Sequence, residues 1–144
     1  MRLIKCSAVL SAMMLVLATP TVMAANGLSE EEALSLAADL MLIKFENRVD
    51  QCEKMGAKNM AGLYDALRLA GARRTDVLPV KSTQMIERAK QSYRTGLAQL
   101  PVSRPEKADH VALICDRTYN QLAELDSSGL LKLAERGVAE FGLR

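Results

Sequence analysis

Three cysteines, one histidine and eight methionines are the side chains in this chain of 144 residues that could ligate a metal or do redox chemistry. Their spacing argues against most of it. No CxxC pair is present, so a thiol-oxidoreductase role has no support, and CxxCH haem attachment is likewise missing. His110 follows Glu106 by four residues, which on a helix places both on one face. Two ligands fall short of the three or four that a metal site needs. The ordinary reading of His110 is an exposed residue near a helix start, and no metal or other cofactor is expected. Met41 and Met85 lie on apolar stripes and suit a core better than a copper site. Ser29, Ser82, Ser127 and Ser128 sit at helix starts, where capping accounts for them. No catalytic residue is assigned, and the expected role is not enzymatic.

The cysteines depend on the start of the chain. Arg2 and Lys5 precede an apolar run from Ala8 to Ala18, followed by Pro20 and the small-residue site Val22-Met23-Ala24. This pattern predicts a cleaved signal peptide over residues 1–24, a periplasmic product, and no stable membrane span after processing. The competing reading is an uncleaved anchor. Cleavage would remove Cys6 and leave Cys52 and Cys115. Both fall on apolar helix faces, so burial alone allows either two free thiols or a bond. An oxidising compartment favours the bond. It closes a loop of about 60 residues, worth roughly 4 kcal/mol in the chain-entropy account.

Residues 25–144 are then one domain. Without Arg2 and Lys5 its 17 Lys and Arg balance its 17 Asp and Glu. A neutral domain is a poor general binder of nucleic acid. The charge is unevenly spread. Leu28 to Glu53 carries seven acids and two bases, and Lys54 to Lys107 carries eleven bases and four acids. The default reading is solvated helix faces with complementary neighbours. The sharper one is a basic patch of Arg73, Arg74, Lys81, Arg88, Lys90 and Arg94 that meets an acidic partner.

Five helices must position these groups. Ser29-Glu30-Glu31-Glu32 is a capping box opening a helix to about Lys54, ended by Gly56. Its apolar stripe is broad enough to touch helices on both sides. A second helix is expected over Met60–Ala70, capped by Asn59 and closed by Gly71. Ala72 to Val80 reads as a connector. Ser82 is expected to cap a third helix, Thr83 to Ala98, with Met85, Ile86, Ala89, Tyr93 and Leu97 inward. The fourth, Pro105 to Leu125, carries Cys115 on its buried face and reads as the element around which the others are arranged. Asp126 to Gly129 breaks the chain before a last helix, Leu130–Phe141. No stretch alternates like a strand. The prediction is an all-α, compact bundle of about five helices with one disulfide. Function is expected on the connectors, Gly71 to Lys81 and Gln99 to Arg104, with Arg73, Arg74, Lys81, Gln99 and Arg104 as candidate partner-binding residues.

The run Cys115-Asp116-Arg117-Thr118-Tyr119-Asn120, with Leu125 and a short terminal helix after it, resembles the end of a known family. This is the helical periplasmic immunity family of type VI secretion systems, which neutralises peptidoglycan amidase effectors. The signal, the all-helical layout, the two cysteines and Tyr119 match. The family's acid lies two residues after the second cysteine, where this chain has Arg117, with Asp116 one residue earlier. The middle third has no matching motif. The resemblance implies a homodimer that plugs an amidase cleft with a protruding loop and has no catalysis of its own. The alternative is a periplasmic helical module holding a small ligand or cofactor between the first and fourth helices.

Overall fold

A computed structural model describes residues 27–101 and 108–144. The expected signal segment lies outside these residues, as do Arg104, Pro105 and Glu106. The described residues form five helices and no strand. They are α1 (Glu30–Lys54), α2 (Met60–Val77), α3 (Gln84–Ala98), α4 (Ala108–Ala123) and α5 (Ser127–Glu140).

The capping box of α1 forms as its sequence dictates. The Ser29 hydroxyl accepts from the Glu32 N–H at 3.2 Å, and the Glu32 carboxylate accepts from the Ser29 N–H at 2.8 Å. These hydrogen bonds hold the Glu32 carboxyl below its ordinary value of 4.5. At the other end Gly56 turns left-handed at φ +78°, and the Ala57 N–H reaches back to the Cys52 carbonyl at 2.9 Å.

α1, not α4, is the centre of the molecule. It packs against each of the other four helices, whereas α4 meets only α1 and α2. The cause lies in its composition. From Ala33 to Ile43 all but Leu34 and Asp39 are buried, so the first half of α1 is covered nearly all round. Its buried side chains serve two apolar clusters. Leu36, Leu40 and Ile43 meet Ile86, Tyr93 and Leu97 of α3, with Val138 and Leu143. Phe45, Val49 and Cys52 meet Leu63 and Ala66 of α2, Leu122 of α4, and Leu130 and Leu133 of α5.

α2 runs seven residues past the predicted end. Gly71 does not stop it; the helix continues to Val77 and ends at Leu78, which is extended because Pro79 follows. A helical glycine costs only about 1 kcal/mol. The continuation brings Arg74 and Leu78 into the interior, which outweighs that cost. Asn59 precedes α2 but makes no side-chain capping bond.

The other helix starts also shift. Thr83 rather than Ser82 caps α3, its hydroxyl accepting from the Ile86 N–H at 3.3 Å. Met85 is 43% exposed, against expectation, because α3 packs on α1 alone and needs only the narrow seam of Ile86, Tyr93 and Leu97. Asp126 caps α5 by accepting from the Gly129 N–H at 2.6 Å, so Ser127 to Gly129 form its first turn rather than a break. α5 lies close on α1 at Gly137, where an added Cβ would stand 3.1 Å from the Ala37 Cβ.

Candidate functional site

Cys52 and Cys115 are joined in a disulfide, with their Cα atoms 5.9 Å apart. It ties the last turns of α1 to the middle of α4. Both residues are buried, at 1% and 3% exposure.

The candidate partner residues do not converge. Arg74 is only 4% exposed and cannot serve as a surface contact. Its Nε donates to Asp39 at 2.5 Å, Nη1 donates to the Leu78 carbonyl at 2.8 Å, and Nη2 donates to the Ser35 carbonyl and hydroxyl at 3.1 and 2.8 Å. The Ser35 hydroxyl donates in turn to the Pro79 carbonyl at 3.1 Å. The fork geometry of a guanidinium suits this work: one side chain satisfies four acceptors and straps the connector to α1. Arg73, half-buried, donates to the Leu125 carbonyl at 2.9 Å and joins α2 to the end of α4. Lys81 pairs with Glu31 at 3.3 Å. Gln99 is exposed at the C-terminal cap of α3, and Arg104 lies outside the described residues.

Four of the six bases of the expected patch, Arg74, Lys81, Lys90 and Arg94, pair with acids of α1. Lys90 pairs with Asp39 at 3.4 Å and Arg94 with Glu46 at 3.0 Å, beside the Arg74–Asp39 and Lys81–Glu31 pairs. The uneven charge of the sequence is therefore mostly an internal complementarity, as the default reading expects, rather than one free patch.

His110 is exposed near the start of α4. Among the described residues no three His, Cys, Asp or Glu side chains gather as a metal site. Met41 is buried in the core, Met55 and Met60 pack against its edge, and Met85 is exposed on α3. Burial, with Glu140 adding to it, pushes the Tyr93 hydroxyl up, and a hydrogen bond to Glu53 raises that of exposed Tyr64.

Two concave features stand out instead. α4 and α5 both pack on α1 without meeting each other, which leaves an open groove of about 940 Å³. Met41, Phe45, Leu125 and Leu133 give it an apolar lining, and the charged lining includes Arg48, Lys132, Arg136, Glu124 and Glu135. The Arg48 guanidinium sits over the Phe45 ring, 5.5 Å from its centroid, and donates to Gln121 at 3.2 Å. Sequence reasoning placed function on the connectors and missed this groove. The available signal was Lys132 and Arg136, one turn apart beside the apolar stripe of α5. The second feature is a cleft of about 390 Å³ between the turn after α1 and the first half of α4. Met55, Leu63, Val111, Cys115 and Tyr119 line it, together with Lys58.

Comparison with known protein families, with curated proteins and with solved structures gives no match.

Proposed function

We propose that this chain is an exported, non-enzymatic protein that acts by binding another protein, an immunity-type inhibitor that blocks a cell-wall amidase. The observation that carries the reading is the groove between α4 and α5, an open apolar trough with charged residues of both signs around it. Such a surface suits a protein segment with an apolar face and polar edges better than it suits a small molecule, which needs more enclosure. The disulfide supports the export part of the reading, because such bonds persist in oxidising compartments. The amidase target rests on the resemblance carried by Cys115 to Asn120. A homodimer is part of the same proposal.

The test is a titration of peptidoglycan amidases with the oxidised protein, read as loss of amidase turnover and as complex mass. Stoichiometric inhibition of one amidase, weakened by Phe45→Ala or Arg136→Glu, supports both the function and the surface. A folded, oxidised protein that inhibits none of them overturns the inhibitor reading. A second reading, a small-ligand module, draws on the 390 Å³ cleft between the end of α1 and α4. Native mass spectrometry showing a retained small molecule would favour it.

A further inference from the structure

α4 packs on α1 and α2, and its first half is sparsely covered. From Asp109 to Ile114 every side chain is exposed except Val111, which is half-buried. Leu113 and Ile114 are 59% and 47% exposed. Full burial begins at Cys115 and recurs within the helix only at Thr118 and Leu122. Among the described residues the charged groups of α4 form no ion pair, and the one side-chain hydrogen bond from α4 to another helix is that of Gln121 with Arg48. α3, by contrast, reaches α1 through Lys90–Asp39 and Arg94–Glu46 as well as through its apolar seam. Among the described residues the first half of α4 is thus held by the Cys115 bond and by the partial packing of Val111. Cys115 lines the cleft beside the α1–α2 turn, although both cysteines are buried, so attack on the bond needs local opening of the cleft.

We propose that Cys52–Cys115 is a releasable latch on the first half of α4, opened in the folded protein by a small dithiol that enters this cleft. One thiolate of the dithiol attacks the Cys115 sulfur, forms a mixed disulfide and expels Cys52 as a thiolate, which takes up a proton. The second thiol, deprotonated, then attacks its own mixed-disulfide partner sulfur and displaces Cys115, which is protonated in turn. The dithiol leaves as a cyclic disulfide. Two electrons and two protons have passed to the protein. The cluster centred on Leu36–Ile43 contains no α4 residue, and the one centred on Phe45–Val49 keeps Leu63, Ala66, Leu122, Leu130 and Leu133, so both persist when the first half of α4 opens. Opening frees the turns that carry Leu113 and Ile114, the most exposed apolar pair on α4.

The experiment treats the oxidised protein with dithiothreitol in the absence of denaturant. Thiol release is followed by alkylation and mass spectrometry, and backbone opening by hydrogen exchange. The expected result is release of both thiols from the folded protein, at a rate insensitive to low concentrations of urea. The amides of residues 112–117 then exchange about tenfold faster or more, while those of α1 and α3 keep their protection. The double variant Cys52→Ser/Cys115→Ser reproduces that pattern without reductant. Three results overturn the proposal: thiol release that keeps pace with global unfolding across a urea series, loss of protection throughout the reduced protein, or unchanged exchange in α4 after full reduction. Should the double variant fail to fold, the time course on the native cysteines decides alone.

Discussion

α3 and α4 each pack on α1, and neither touches the other. α3 is seated by three buried side chains, Ile86, Tyr93 and Leu97, and by two ion pairs to α1. Its connector is strapped down by Arg74, with the Ser35 hydroxyl accepting the Lys81 N–H at 3.4 Å as well. α4 is seated by Cys115, Thr118 and Leu122 and by one covalent bond. The first attachment is distributed over many weak contacts, so it fails gradually and responds to salt and to cavities. The second adds a covalent bond to a buried seam shared with α1 and α2, so under the latch proposal it responds to reductant as well. Exposed ion pairs such as Arg94–Glu46 contribute little each. The buried Arg74 network weighs more, because deleting one partner strands the others.

The comparison can be broken at its strongest point. Arg74→Ala removes the side-chain donor of the Leu78 and Ser35 carbonyls and leaves Asp39 with Lys90 as its remaining cation. Urea denaturation should show a loss of about 3–5 kcal/mol, and hydrogen exchange should rise from Leu78 through α3 while α4 is spared. An equal rise in α4 would mean that the two regions are coupled. Reduction of the disulfide is the mirror experiment, with the rise expected in α4 alone.

Gly137→Ala probes the spine that both regions share. The new Cβ would meet the Met41 Cγ at 3.0 Å and the Ala37 carbonyl at 3.2 Å, and backbone cannot move aside cheaply. A loss of about 1–3 kcal/mol is expected in thermal or urea unfolding, despite the better helix propensity of alanine. Because α1 carries both clusters, protection should fall on both sides.

Smaller effects sharpen the picture. Gly71→Ala meets nothing within 4 Å in the middle of α2, so it should stabilise by roughly 0.5–1 kcal/mol. A loss instead would show that α2 does not run unbroken to Arg74. The smallest effect is at Glu32. Its folded pKa is depressed, so its stabilisation is present above the unfolded value and is lost as pH falls through the folded one. The start of α1 should therefore fray below about pH 4.5 in hydrogen exchange, and Glu32→Gln should remove that pH dependence.

Much of this was legible in advance because it is local. Ser29 with Glu32 and Gly56 after the last turn act within a few residues, so their types name their positions, whereas Asp126 reads as part of a break and proves to be a cap. The cysteine pairing was legible on the expectation that Cys6 leaves with a signal segment, which gives each remaining cysteine one partner. The candidate site was far less so. Gly71 and the mixed run after it read as a stop and a connector, yet α2 continues, because Arg74 finds Ser35 and Asp39 some 39 and 35 residues earlier in the chain. No local rule contains those acceptors.

The sequence by itself therefore determined the helical class, the capping box of α1, the disulfide pair and the complementary charge of α1 against the segment that follows. Each follows from periodicity, composition or contact over a single turn. Tertiary structure alone decided that α1 is the centre, that Arg74 is an internal strap, that Cys115 ties the middle of α4 to the end of α1, and that a groove lies open between α4 and α5. Those outcomes depend on which faces meet across long stretches of chain, and burial at one face is settled only when its partner arrives.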